Sequence, residues 1–146
     1  MTEVDYKKRV EFLEQNYGTQ TPGRSVHSLE KHGAQTRILK QYRRVKHPDY
    51  LNPTTGLPGQ PTKKASKFLS HKDHYYVLRK AILEQKSKGF PGGDEVFEFD
   101  YNIGATIKNL GSHSNRGPYS AEYLNKARVR FDGDLEKGKF FTAFPE

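Results

Sequence analysis

Three stretches carry side chains whose types could do chemistry together. HSLEKHG, residues 27–33, holds His27 and His32. RILKQYRRVKH, residues 37–47, holds Arg37, Lys40, Arg43, Arg44 and Lys46. KFFTAFPE, residues 139–146, sets Thr142 among Phe140, Phe141 and Phe144. An imidazole titrates near neutrality and can move a proton in either direction. Guanidinium forks match phosphate oxygens. A hydroxyl between aromatic rings can hold a phosphate or a base edge while a ring stacks on a base, a contact worth about 1–3 kcal/mol. Each stretch also has a plainer reading: a surface or C-cap histidine, a solvated basic helix face, and core phenylalanines on a buried strand.

Spacing sharpens the choice. Within one helix His27 and His32 are about 500° apart in rotation, so they share no face and make a poor metal pair. His32 stands beside Lys31 and directly before Gly33, a helix stop. His32 and Arg43 lie within about 20° of the same azimuth on a continuous helix, but about 16 Å apart along it. A break at Gly33 removes that separation. As a strand, KFFTAFPE alternates, with Phe140, Thr142 and Phe144 on one face and Phe141 and Ala143 on the other. NLGSHSNRGPYS, residues 109–120, adds His113 and Arg116 in a polar loop. His71 and His74 are i,i+3 with no third ligand in view, and there is no P-loop, GxSxG or HExxH motif.

The elements that must position these residues follow from caps and periods. Thr2 and Asp5 open a helix with Tyr6, Val10, Leu13 and Tyr17 at helical spacing, stopped by Gly18. Ser25 can cap a short helix, VHSLEKH, that ends at Gly33, and Thr36 can open the basic helix that Pro48 closes. Residues 48–64 hold four prolines and two glycines without a period and read as a long loop. Ser70 and Asp73 start a helix over about 71–87, with Tyr75, Leu78 and Ile82 on its inner face. The period then changes to 2. VFEFDYN and IGATIKN read as short strands, and ARVRFDGDLEKGKFFTAF reads as a hairpin with Ala127, Val129 and Phe131 inward and Arg128 and Arg130 outward. Helices first and antiparallel strands last give an α+β fold. Residues 1–24 form an N-terminal helix and linker, and 25–146 the main domain, as one compact unit.

Composition bounds the function. The chain has 146 residues and a net charge of +8, with 33% hydrophobic residues, nine Phe, nine Tyr and no Cys. The charge favours a polyanionic partner or an acidic protein. Disulfides, thiolate catalysis and cysteine zinc sites are excluded. No apolar run approaches the ~20 residues of a membrane span, and MTEVDYKKRV is unlike a signal peptide.

HSLEKHG with an arginine eleven residues after its second histidine, then KKASKFLSHKDHYYVLRKAI (63–82), IGATI (103–107) and RVRFDGDLEKGKFFTAFP (128–145), occur in a familiar order. From about residue 25 onward the chain resembles the bacterial ribonuclease A-like toxin domains at the C-termini of contact-dependent growth inhibition proteins and other polymorphic toxins. The resemblance implies a ribonuclease A-like α+β fold and metal-independent endoribonuclease activity with no cofactor. RNA, possibly tRNA, would be cleaved through its 2′-OH to a 2′,3′-cyclic phosphate. By position, His32, Arg43 and Thr142 match the family's catalytic histidine, arginine and threonine. Phe144 falls where the family has tyrosine, and phenylalanine can only stack or shape the pocket. Lys31, Arg44 and His113 are the further substrate-binding candidates, and His113, ahead of His27, is the candidate for a second proton-transfer group. The resemblance also implies a monomer secreted within a larger effector, acting in the target-cell cytoplasm and neutralised by a cognate immunity protein, expected to be acidic. The alternative fold is that of barnase–EndoU–colicin-type toxins. The alternative functions are a non-catalytic RNA-binding module and an interaction domain for an acidic protein.

Overall fold

Local signals set the helices, and long-range pairing sets the rest. In the computed structural model, residues 1–46, 63–112 and 115–146 are described. Helix α1 spans Glu3–Tyr17, α2 Ser28–His32, α3 Ile38–Lys46 and α4 His71–Ser87. Strands β1 (Lys64–Phe68), β2 (Gly93–Glu98), β3 (Gly104–Asn109), β4 (Tyr119–Leu124), β5 (Lys126–Phe131) and β6 (Phe140–Pro145) complete the order. They form two antiparallel three-stranded sheets, β1-β3-β4 and β2-β5-β6. The architecture is α+β, as expected from the order of periods.

Thr2 caps α1 through the reciprocal box: its hydroxyl accepts the Asp5 N–H at 3.2 Å, and the Asp5 carboxylate accepts the Thr2 N–H at 3.0 Å. Ser70 caps α4, its hydroxyl accepting the Asp73 N–H at 3.0 Å and donating to the Asp73 carboxylate at 2.8 Å. These helices pack on each other, and Val10 and Leu13 of α1 join Val77, Leu78, Ala81 and Ile82 of α4 over Ala127, Val129, Phe131, Phe140 and Ala143 of β5 and β6. A smaller cluster of Val45, Ala65 and Ile107, flanked by Tyr42 and Tyr119, fixes α3 on the other sheet. The two sheets meet where the Ser66 hydroxyl of β1 donates to the Pro145 carbonyl of β6 at 2.8 Å. Gly104 of β3 packs so closely on Pro145 that a Cβ there would collide with its ring.

Four expectations change. First, β1 and β4 are strands the periodicity did not single out. KASKF lies directly before the α4 cap, and YSAEYL is a half-exposed edge strand with no apolar face. Second, the helix before Gly33 begins at Ser28, with no cap from Ser25. Residues ahead of it are drawn into pairing instead, Val26 donating to the Thr19 carbonyl at 3.0 Å and His27 to the Phe141 carbonyl at 3.3 Å. The half-buried Glu14 carboxylate caps α2 from outside, accepting from Ser28 Oγ at 2.7 Å and Leu29 N at 3.1 Å. Third, VFEFDYN supplies only the end of β2, which begins earlier, at Gly93. Fourth, β6 does not alternate strictly. Phe131 pairs with Phe140 and Arg130 with Thr142, so Phe141 is an extra, bulged residue. The bulge turns Phe140 into the core beside Ala143, away from Thr142. The long loop read over 48–64 lies, apart from its last residues, outside the described residues, as does His113.

Candidate active site

The cleft lies where α2, α3, β1, β5 and β6 converge, and each element delivers its residue for a local reason. It holds about 540 Å³ and is lined by His27, Lys31, His32, Arg44, Lys64, Ser66, Arg128, Arg130, Thr142, Phe144 and Glu146, among others. On β5 and β6 the faces alternate about the core: Val129 and Ala143 pair inward, while Arg130 pairs with Thr142 and Arg128 with Phe144 on the cleft side.

His32 ends α2 and is buried. Its Nδ1 is 2.8 Å from the Ser66 carbonyl, which can only accept, so Nδ1 carries the proton and Nε2 keeps its lone pair. The ring lies 5.5 Å from that of Phe144 at a tilt of 41°. Burial first, and then the Arg44 charge, push His32 well below its ordinary value, against the opposing Ser66 carbonyl. The neutral imidazole is therefore the resident form. His27 enters from the N-cap position of α2 in a non-helical conformation, φ −139° and ψ 22°. The helical azimuth that kept it from His32 does not apply, and both rings line one cleft. Burial, then Lys31, lowers His27 to about 4, while the Ser25 backbone opposes the shift.

Arg44 faces the cleft and Arg43 does not. Arg43 is exposed and lines a separate groove with Glu30, Gln35, Thr36, Arg37, Leu39 and Lys40. Adjacent residues on α3 point about 100° apart, and the packing of Val45 fixes which one turns inward. Arg44 is steered by Gln41, whose Oε1 accepts from it at 2.9 Å. Gln41 is itself fully buried and donates to the Lys31 carbonyl at 2.8 Å and to Thr36 Oγ1 at 3.1 Å. The arginine expected at 43 by spacing is thus replaced at the cleft by Arg44.

Arg128 and Arg130 are cleft residues that the strand pattern marked only as outward. Arg128 is held at 2.6 Å by Asp94 and at 2.8 Å by Glu146, which raises its value further and commits its charge. Arg130 is only 3.7 Å from Asp94, and its guanidinium lies 5.4 Å over the Phe144 ring. Phe144 thus sits between His32 and Arg130. The Thr142 hydroxyl is buried and finds no hydrogen-bond partner among the described residues, an unusual condition for a buried polar atom. The signal for Arg130 was its place opposite Thr142, legible only once the register was known. Among the described residues, no three His, Asp or Glu side chains converge as metal ligands, and no helix is long and apolar enough to cross a membrane.

This arrangement can hold a dianionic or anionic oxygen cluster between Lys31, Arg44, Arg130 and the Thr142 hydroxyl, with an imidazole lone pair beside it. No family model matches the chain, and no curated protein matches it. A chain of the CdiA-CT/CdiI complex from Y. kristensenii 33638 is similar in structure, with a TM-score of 0.51 and 19% identity over 79% of this chain and 94% of that one. At that identity the likeness is one of fold.

Proposed function

We propose that this chain is a toxin ribonuclease that cleaves RNA without a metal ion. The observation that carries the reading is one cleft holding a neutral imidazole of fixed tautomer, cations and an unpartnered buried hydroxyl. RNA brings its own nucleophile, the 2′-OH. The protein has to move protons and stabilise a crowded phosphorane. His32 Nε2 takes the 2′-OH proton. The 2′-oxygen bonds to phosphorus, the P–O5′ bond breaks, and the products are a 2′,3′-cyclic phosphate and a 5′-hydroxyl. Arg44 and Arg130, with Lys31, stabilise the charge on the equatorial oxygens. Thr142 donates to one of them. Arg44 takes the role first given to Arg43.

The fold likeness to a chain of a CdiA-CT/CdiI complex supports the toxin setting. In that setting the domain is delivered as the C-terminal part of a larger effector, acts in the target-cell cytoplasm, and is neutralised by an acidic immunity protein over the basic cleft. The test is direct. Parent and His32→Ala proteins are incubated in EDTA with total RNA and with tRNA. Cleavage by the parent alone, with cyclic-phosphate ends, is expected. A parent that shifts RNA on a gel without cutting it would replace this reading with a binding module.

A further inference from the structure

The reaction above leaves one proton unsupplied. The departing 5′-oxygen must be protonated as the P–O5′ bond breaks, and a general acid contributes about 10²–10⁴-fold to such a step. The cleft holds few side chains able to do this. Lys31, Lys64, Arg44, Arg128 and Arg130 are cations suited to charge stabilisation, Glu146 is bound to Arg128, and His32 is committed as base. His27 remains.

We propose that His27 is the general acid, the second proton-transfer residue of the site; this rests on the ribonuclease reading. The geometry comes from β6. The bulge at Phe141 presents its carbonyl to the His27 N–H, and this bond holds residue 27 outside α2. Five residues of a continuous helix would have turned the two histidines apart; one non-helical residue brings both rings to the same cleft. Their surroundings divide the roles. His32 is the more buried and has its Nδ1 proton engaged by Ser66, so it serves as the neutral base. His27 is half-buried and reaches solvent, from which it can be reprotonated between turnovers. The groups that line the cleft with it are Lys31 and His32 from α2, Arg44 from α3, Lys64 from β1, Arg128 and Arg130 from β5, and Glu146 at the end of β6. Burial first, and then the Lys31 and Arg44 charges, hold the imidazole neutral, and a phosphate anion seated beside these cations opposes their effect and favours the imidazolium. In the step itself, His32 gains the 2′-OH proton and His27 gives one proton to O5′, so charge and protons balance. Solvent exchange resets both rings.

The experiment compares two leaving groups. The substrates are the four NpA dinucleotides, which leave as an alkoxide and need a proton, and the four nucleoside 3′-(4-nitrophenyl phosphates), which leave as a stable phenolate and need none. His27→Ala is expected to lose about 10²–10⁴-fold in kcat on the dinucleotide and less than about tenfold on the aryl ester. His32→Ala is expected to lose both. The alkaline limb of kcat on the dinucleotide, set by loss of the His27 proton in the substrate complex, is expected to vanish in His27→Ala. His27→Gln, which keeps a polar side chain of similar length, repeats the comparison should the alanine variant melt at a lower temperature. An equal loss on both substrates, or no loss on either, in a folded variant overturns the assignment of His27 and leaves the ribonuclease standing. A parent that cleaves neither substrate overturns the reading beneath it.

Discussion

Phe140 and Thr142 stand two residues apart on β6 and lie on opposite faces of the sheet. Phe141 is the extra residue between them, because Arg130 pairs with Thr142 while its neighbour Phe131 pairs with Phe140. Phe140 is fully buried in the main core, and Thr142 lines the cleft, its buried hydroxyl having no partner among the described residues. The same bulge offers the carbonyl that fixes His27. One inserted residue therefore serves the core, the placement of the Thr142 hydroxyl and the placement of His27 together.

Thr142→Val should separate activity from stability. A buried hydroxyl without a partner is unfavourable by about 1–3 kcal/mol. Replacing it by a methyl of the same shape should leave the melting temperature unchanged or raise it. Loss of a hydrogen bond to a charged phosphorane, worth about 1.5–3 kcal/mol, should lower kcat by roughly 10–100-fold. A fall in melting temperature with full activity would make Thr142 a structural residue.

Legibility in the sequence followed locality. α1 and α4 were readable because their caps and apolar faces are contained within a few residues, as Thr2–Asp5 and Ser70–Asp73 show. The hairpin of β5 and β6 was readable from its period of 2, but the bulge was not, since register depends on which residue across the ladder finds a partner. β1 left no amphipathic trace, yet it supplies the Ser66 carbonyl that orients His32. His32, Thr142, Phe144, Lys31 and Arg44 were legible as candidates and come together at one cleft. Arg130 was read only as an outward strand residue, and His27, on the wrong helical azimuth for a metal pair, was placed behind His113 as a proton-transfer candidate. Both readings assumed regular elements, and both residues are placed by irregular ones.

Arg44 and Arg43 should part in their effects despite their adjacency. Arg44→Ala removes a cleft cation and should lower kcat/KM on a dinucleotide by about 10²-fold or more. Arg43→Ala removes a charge from the outer groove shared with Arg37 and Lys40. It should leave dinucleotide cleavage within about threefold and weaken only longer RNA, with a salt slope smaller by about 1. Equal losses for the two variants on the dinucleotide would contradict the assignment of Arg44 to the cleft.

Stability should fall on acidification from neutrality. His27, His32, His71 and His74 are all held below 6.5, chiefly by burial, with His27 at about 4 and His74 at about 3. As pH drops below 6.5 the unfolded chain takes up protons that these folded imidazoles refuse. Stability is therefore lost from pH 6.5 downward, the loss ending for His74 only near its folded value. Glu14, raised by burial, works weakly in the opposite sense near its own range. His74 stacks on Phe68 at 4.2 Å and meets Ser28 Oγ at 3.1 Å. His74→Gln should lower stability at pH 7 but flatten the pH dependence between 6.5 and 4.5 by about 1.4 kcal/mol per pH unit. Thermal melts across that range measure it, and an unchanged slope would mean that His74 is charged in the folded protein.

Phe144 should act through its neighbours rather than on a base. His32 packs near its ring at 5.5 Å and Arg130 lies over it at 5.4 Å, so both proposed functional side chains lean on the same aromatic surface. A ring held in this way is a positioning residue for base and cation together. Phe144→Leu keeps an apolar body but loses the cation–π contact, worth about 0.5–1 kcal/mol at an exposed site. It should lower kcat on dinucleotides of every base to a similar extent and shift the pH profile governed by His32, with KM little changed. Phe144→Tyr should keep the wild-type pH profile, because the ring face is retained. If Phe144→Leu instead raises KM strongly for one base and spares the others, with no change in pH profile, the ring contacts that base directly, and the spacing of His32 and Arg130 is set elsewhere.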